Sequence, residues 1–268
     1  MKLFLVAFGV VFVLYAAVCC LLYYKQESLL FFPQKLPPDY RFSFPASFEE
    51  RWIAAVDGTR LHGLLFTTPA PKGLIFYLHG NAGSLADWGD VAPVYTSLGY
   101  DVFMLDYRGY GKSEGVISTE KQLISDAAAA YEHVKVRYQD DQIVVLGYSL
   151  GTGLATWLAA HYQPRLLILQ APYYSFQDLA QHFYPWVPGV LLRYPMRTHE
   201  LLPQVKAPVV LIHGDQDEVV YYGSSLKLKP LLKPSDRLIT LPGIGHNGMT
   251  ETPIYQTIIR GILSTPTV

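Results

Sequence analysis

Charge, cysteine and basic surface are what this sequence has least of. Of its 268 residues only 16% are charged, while half are hydrophobic. That balance excludes an intrinsically disordered chain and supports one large buried core. Lysine and arginine together number 21 against 22 acidic residues, and no run of like charge occurs. The electrostatic footprint of a nucleic-acid binder is therefore missing, and no partner is expected to be steered in by net charge. The two cysteines, Cys19 and Cys20, are adjacent and lie inside the first hydrophobic run. The rest of the chain has none, which removes a disulfide framework, a thiolate metal site and a cysteine nucleophile from its globular part. Histidines 62, 133, 161, 182 and 199 show no metal-ligand spacing such as H-E-x-x-H, so no metal or other cofactor is expected. Internal repeats and low-complexity tracts are also lacking.

What is present begins with Leu3–Tyr24, 22 residues without a charge. As a helix they rise about 33 Å, enough for a hydrocarbon core of about 30 Å. A cleaved signal peptide has a shorter apolar core and a small-residue cleavage site. Here Tyr23-Tyr24-Lys25-Gln26-Glu27 follows instead, an aromatic and charged boundary of the kind found at membrane interfaces. Residues 1–28 are read as a single-pass N-terminal anchor. The flanking charges, Lys2 on one side and Lys25 and Lys35 on the other, set no orientation.

Beyond a Pro-rich aromatic connector, Leu29–Pro45, short apolar runs bounded by Gly, Pro or Asp read as strands. They are Gly73–His79, Tyr100–Tyr107, Gln142–Gly147, Leu166–Gln170, Val209–His213 and Leu238–Leu241, preceded by a hairpin of Ala54–Val56 and Leu61–Phe66 about Asp57-Gly58. Helical patterns fall at Thr119–Arg137, Leu150–His161 and Tyr255–Leu263. The alternation predicts an α/β fold, a mostly parallel sheet covered on both faces, whose ligands bind at the carboxyl ends of the strands. Residues 29–268 form this domain, and 171–208, rich in Tyr, Phe, Trp and Pro, is expected to be a cap-like insertion. Its aromatics suit ordinary core, an acyl-binding wall or a lid near the bilayer.

Gly147-Tyr148-Ser149-Leu150-Gly151 follows one strand and opens a helix. A serine hydroxyl needs a base to take its proton and a backbone that presents it, and this strand-to-helix elbow supplies the presentation. The alternative is a tight structural turn. An acid and then a histidine should follow in the chain, each past a strand end. Asp217 and His246 meet that order, with Asp215 and Glu218 as rival acids. His246 would accept the Ser149 proton and Asp217 would hold the imidazole. Two backbone donors should face the developing oxyanion. Leu150 supplies one, and Asn81 in His79-Gly80-Asn81-Ala82-Gly83 the other, with Ala82 as alternative. His79 and His213 are expected to be structural. Asp106 and Arg108 are expected to cap and brace a loop. Gly111-Lys112-Ser113 is no phosphate loop, because Asp106 stands where the first glycine is required.

Together H-G-N-A-G, D-Y-R-G-Y-G-K-S-E-G, G-Y-S-L-G-T-G, H-G-D-Q-D-E-V-V and G-I-G-H-N resemble the membrane-anchored serine hydrolases of the α/β-hydrolase superfamily, those related to serine aminopeptidases and acyl-protein thioesterases. The resemblance runs in order from about Leu29 to Leu263 and extends to the apolar N-terminus followed by F-F-P. It implies the α/β-hydrolase fold and makes the aspartate before E-V, Asp217, the acid. The H-G-N-A-G loop departs from the H-G-G-G form of many lipases. The expected activity is hydrolysis of carboxylic esters or thioesters through an acyl-enzyme on Ser149. A small-molecule or lipidated acyl ester is the expected substrate, and the protein is expected to act as a monomer. A peptidase of the aminopeptidase type and a non-catalytic membrane-attached binding module are the other readings. The short insertion, whose only acidic residues are Asp178 and Glu200, favours esters over peptides.

Overall fold

Side chains alternate in direction along a strand, so one apolar run serves two cores at once. Leu74, Phe76 and Leu78 join one apolar cluster, and Ile75 and Tyr77 join another. The computed structural model describes residues 1–264. Its main sheet has eight strands: β1 (Phe48–Ala54), β2 (Arg60–Phe66), β3 (Leu74–Leu78), β4 (Asp101–Leu105), β5 (Ile143–Tyr148), β6 (Leu166–Gln170), β7 (Val209–Gly214) and β8 (Arg237–Leu241). Their order across the sheet is β1-β2-β4-β3-β5-β6-β7-β8. β1, β2 and β4 pair antiparallel and all later pairs are parallel.

Helices close both faces. On one, α2 (Glu120–Lys135) buries Leu123, Ala127, Ala130, Tyr131 and Val134 at helical spacing, beside α3 (Gly151–His161). The Thr119 hydroxyl caps α2, accepting from the Gln122 N–H at 3.1 Å and satisfying an otherwise orphaned donor. On the other face, α5 (Pro253–Ser264) and the turn carrying Tyr95 meet through a bond between the Tyr95 and Tyr255 hydroxyls at 2.8 Å. That bond lets two fully buried phenols satisfy each other.

The mostly parallel sheet agrees with the sequence-based expectation, and three features differ from it. The first hairpin arm is Phe48–Ala54 and not Ala54–Val56; Glu49, Glu50 and Arg51, tolerated on an edge strand, interrupt the apolar alternation that would mark it in the sequence. The connector carries a helical turn, Gln26–Leu30, and Phe32–Pro33 pairs in parallel with Ala82–Gly83. The insertion contains a helix, α4 (Phe176–Phe183), started by Ser175, whose hydroxyl accepts from the Asp178 N–H at 3.0 Å. Its aromatics divide: Tyr173 and Tyr194 are core, whereas Phe183, Tyr184 and Trp186 are exposed.

The N-terminal helix α1 (Lys2–Tyr24) is long and apolar enough to cross a membrane, and none of its residues is buried. It runs into the Gln26–Leu30 turn, where Gln26 is buried.

Candidate active site

β3 is where the sheet order reverses: the chain leaves it for β4 on one side and returns to lay β5 on the other. Crevices at such a switch point, beyond the strands' carboxyl ends, are where α/β sheets bind ligands. Leu78 pairs with Gly147, so the loop His79–Gly83 and the residue after β5, Ser149, emerge side by side.

Ser149 has φ = 51°, a left-handed conformation that a non-glycine residue adopts only where surrounding structure enforces it. The surroundings here do so. The Ser149 N–H donates to the Gln170 carbonyl of β6 at 2.9 Å, and its own carbonyl accepts from the Thr152 N–H at 2.9 Å and hydroxyl at 2.6 Å. The flanking glycines are demanded by close approach. A Cβ on Gly147 would lie 2.5 Å from the Gly151 carbonyl oxygen, and one on Gly151 only 2.0 Å from that of Leu78.

Asp217 and His246 come together at the neighbouring strand ends. His246 Nδ1 lies 2.7 Å from Asp217 Oδ2, which assigns the Nδ1 proton to that bond and leaves Nε2 as the acceptor. Asp217 Oδ1 accepts from the Val219 and Val220 N–H groups at 2.9 and 2.8 Å. Burial alone would raise this carboxyl. Hydrogen bonds from His213 and His246, with the backbone donor of Val220, instead hold it well below the usual carboxylate range. Of the rival acids, Asp215 is spent bracing the histidine loop, accepting from the Gly243 N–H at 2.7 Å, and Glu218 is exposed. Among the described residues Ser149 Oγ has no hydrogen bond to His246. Without substrate such bonds are often long.

Two supports have partners that the sequence does not announce. Tyr148, quoted only as part of the elbow motif, donates its hydroxyl to the His246 carbonyl, with the rings 5.4 Å apart, and so ties the histidine loop to the elbow. His213 was expected to be structural. It is fully buried with Nε2 3.2 Å from Asp217 Oδ2, and its Nδ1 is 2.7 Å from the Ser225 hydroxyl. The signal for His213 lay in its place at the end of β7, four residues before Asp217.

The H-G-N-A-G loop is aimed by its carbonyls. In a trans peptide the N–H of one residue points opposite to the preceding carbonyl. His79 Nδ1–H donates to the Gly80 carbonyl at 2.7 Å, which fixes the direction of the Asn81 N–H. The Tyr110 hydroxyl at 2.6 Å and the Phe32 N–H at 3.3 Å hold the Asn81 carbonyl, which fixes that of Ala82. His79 is fully buried, and burial keeps its imidazole below the ordinary histidine range. Asp106 and Arg108 brace this region as expected. Asp106 Oδ1 accepts from the Leu85 N–H at 3.0 Å, while Arg108 bridges Asp126 and Asp57 at 2.6–3.2 Å.

Comparison with known proteins agrees with this fold. Residues 69–199 match the family model for serine aminopeptidase, S33. An uncharacterized protein of Mycobacterium tuberculosis (strain H37Rv) is 32% identical over 230 residues, 83% of this chain and 81% of the relative. The α/β-hydrolase domain-containing protein WAV2 of Arabidopsis thaliana is 32% identical over 223 residues, 73% of this chain and 71% of that one. This chain belongs to the α/β-hydrolase family. An esterase of Pyrococcus furiosus shares the fold, with a TM-score of 0.69 and 18% identity over 86% of this chain and 98% of its own. As an α/β-hydrolase the chain has the expected sheet: Ser149 and Leu150 follow β5, Asn81 follows the adjacent β3, and the bonded Asp217 and His246 follow β7 and β8.

Proposed function

We propose that this α/β-hydrolase is a serine esterase or thioesterase that forms an acyl-enzyme on Ser149 and is anchored in a membrane by α1. The observation that carries the reading is the left-handed Ser149 elbow facing the same sheet edge as the bonded Asp217–His246 pair. In the first half-reaction Ser149 Oγ attacks the acyl carbonyl carbon and its proton passes to His246 Nε2. The charged imidazolium is stabilised by Asp217. The tetrahedral oxyanion is met by the N–H groups of Leu150 and Asn81, with Ala82 the alternative second donor. Collapse breaks the bond to the alcohol or thiol, which leaves with the proton from His246. Water then repeats the cycle, returning Ser149 and releasing the acid.

Two observations favour esters over peptides. An aminopeptidase needs carboxylates free to grip the substrate ammonium, and the insertion has two acidic residues. Asp178 is taken by the Tyr221 hydroxyl and the Lys227 ammonium, each at 2.5 Å, and Glu200 is exposed beside Arg197 at 3.5 Å. The anchor reading is supported by the unburied apolar length of α1 and by the Tyr23-Tyr24-Lys25 boundary that ends it.

The test is a fluorophosphonate, which adds covalently to an activated serine. Intact-mass and peptide analysis should find one adduct, on Ser149, and Ser149→Ala should lose both the adduct and nearly all p-nitrophenyl butyrate hydrolysis, a fall on the order of 10⁵-fold or more. Labelling of the Ser149→Ala protein at an unchanged rate would reject the assignment.

A further inference from the structure

Tyr184-Pro185-Trp186-Val187-Pro188-Gly189-Val190-Leu191-Leu192 carries no charge, lies in the middle of the insertion where it meets α1, and is left largely uncovered. Val190 is 88% exposed, Tyr184 57% and Trp186 53%. Isolated exposed apolar side chains are common on soluble domains, but several on one continuous uncharged segment mark an interaction surface.

The partner is indicated by what the segment is tied to. The Tyr15 hydroxyl, in the apolar part of α1, donates to the Trp186 carbonyl at 2.9 Å. Tyr15 lies nine residues before Tyr24, about 14 Å along the helix axis. In hydrocarbon an unpaired phenol and an unpaired carbonyl of irregular backbone are each costly, and such backbone is tolerated there only where protein satisfies it. The bond between them meets both needs at once. Closer to the end of α1, buried Gln26 closes the segment's other end: its Nε2 donates to the Leu191 carbonyl at 3.0 Å, and its Oε1 accepts from the Arg193 N–H at 2.6 Å. At the same level Arg193 pairs with Glu27 at 2.8 Å and lies 5.6 Å over the Tyr23 ring. Below that level the segment is apolar; at it stand a tyrosine and paired charges, as at a membrane interface.

We infer that Tyr184–Leu192 is a second lipid-contacting element, seated in the bilayer beside α1, which draws the candidate site's edge of the sheet to the membrane so that the acyl chain of a bilayer-resident ester enters from the lipid. The inference rests on the reading of α1 as a membrane span. The connection to the site is short, because the insertion begins at Ala171, directly after the Gln170 carbonyl that holds the Ser149 N–H. The occupant of this surface is the hydrocarbon of the bilayer, not a second protein.

The test uses the full-length protein reconstituted in phosphatidylcholine vesicles, with part of the lipid brominated in mid-chain. Bromine quenches tryptophan only at close range, and α1 has no tryptophan. Trp52 is in β1, Trp88 is half-buried against Tyr148 and bonded to the Ala82 carbonyl, and Trp157 is in α3, so Trp186 should account for most of the quenching. Trp186→Phe, which keeps the surface apolar, should abolish most of it. Equal quenching in Trp186→Phe and wild type, with the protein still resistant to carbonate extraction, overturns the inference and leaves the anchor intact. Release of the wild-type chain by carbonate overturns the anchor reading and the inference with it. A second variant, Val190→Asp, should lower hydrolysis of a long-chain ester held in vesicles by about fivefold or more while soluble p-nitrophenyl butyrate changes by less than about twofold. Equal effects on the two substrates, or a vesicle-bound dimer that Val190→Asp dissolves, would assign the surface otherwise and overturn the inference.

Discussion

The carboxyl edge of the sheet and the insertion meet at one peptide, where Gln170 gives its carbonyl to Ser149 and the next residue, Ala171, opens the insertion. The two regions are held by different physics. At the edge, Gly147 and Gly151 have no room for a Cβ, the Asp217 carboxylate accepts from two backbone N–H groups and two histidines, and Tyr148 ties one loop to the next. In the insertion, one helix, three 3₁₀ or helical turns and several prolines carry aromatics that range from fully buried Tyr173 to exposed Trp186. Directional bonds fix the first region, while apolar contact and a few cross-links fix the second. Bond-making chemistry tolerates displacements of a fraction of an ångström, whereas an acyl slot needs only shape and apolarity. The division matches what each region is proposed to do.

The largest effect that probes this contrast belongs to the acid. Asp217→Asn keeps the shape but favours the wrong histidine tautomer, and should lower kcat/KM for p-nitrophenyl butyrate by about 10⁴-fold. Asp215→Asn removes only a brace on the histidine loop and should cost less than about tenfold. Steady-state kinetics on both purified variants decide between them, and the reverse ranking would make Asp215 the acid.

Next is the elbow itself. Gly151→Ala places a Cβ 2.0 Å from the Leu78 carbonyl oxygen, with backbone on both sides and no flexible side chain to yield. We expect a loss of about 3 kcal/mol or more in stability, read as a lower urea midpoint at unchanged slope. A loss below about 1 kcal/mol would show that the edge can yield, and would weaken the contrast with the insertion.

The same contrast governs what could be read from the sequence. Ser149, Asp217 and His246 stand out in the sequence as candidates because a strand followed by a glycine-flanked turn is local, and their order along the chain is topological. The five central strands were legible because they are buried on both faces and so read as unbroken apolar runs. Most of β1 carries no such run, because an edge strand carries charges, here Glu49, Glu50 and Arg51. The pairing of Phe32–Pro33 with Ala82–Gly83, and the bonds of Gln26 to the insertion, join residues about 50 and 165 positions apart and leave no periodic trace. Nor did composition separate Tyr173 from Trp186, since aromatics serve core and membrane interface equally well.

The smallest effect lies inside the insertion. Lys227, after β7, reaches Asp178 of α4 at 2.5 Å and the Tyr221 hydroxyl at 2.7 Å, and His182 stacks on Tyr221 with ring centroids 3.8 Å apart. On contact distances alone this would count as a clamp between the insertion and the segment following Asp217. The Lys227 side chain, however, is 49% exposed, so water and salt screen its charge and ordering the long chain costs entropy. Lys227→Ala should therefore change stability by only about 0–1 kcal/mol, and that difference should shrink further in about 1 M salt. Urea unfolding at low and high salt measures both quantities. A loss above about 2 kcal/mol, unmoved by salt, would mean the insertion is locked as firmly as the elbow. Specificity would then have to come from a rigid slot rather than from an adaptable apolar cover.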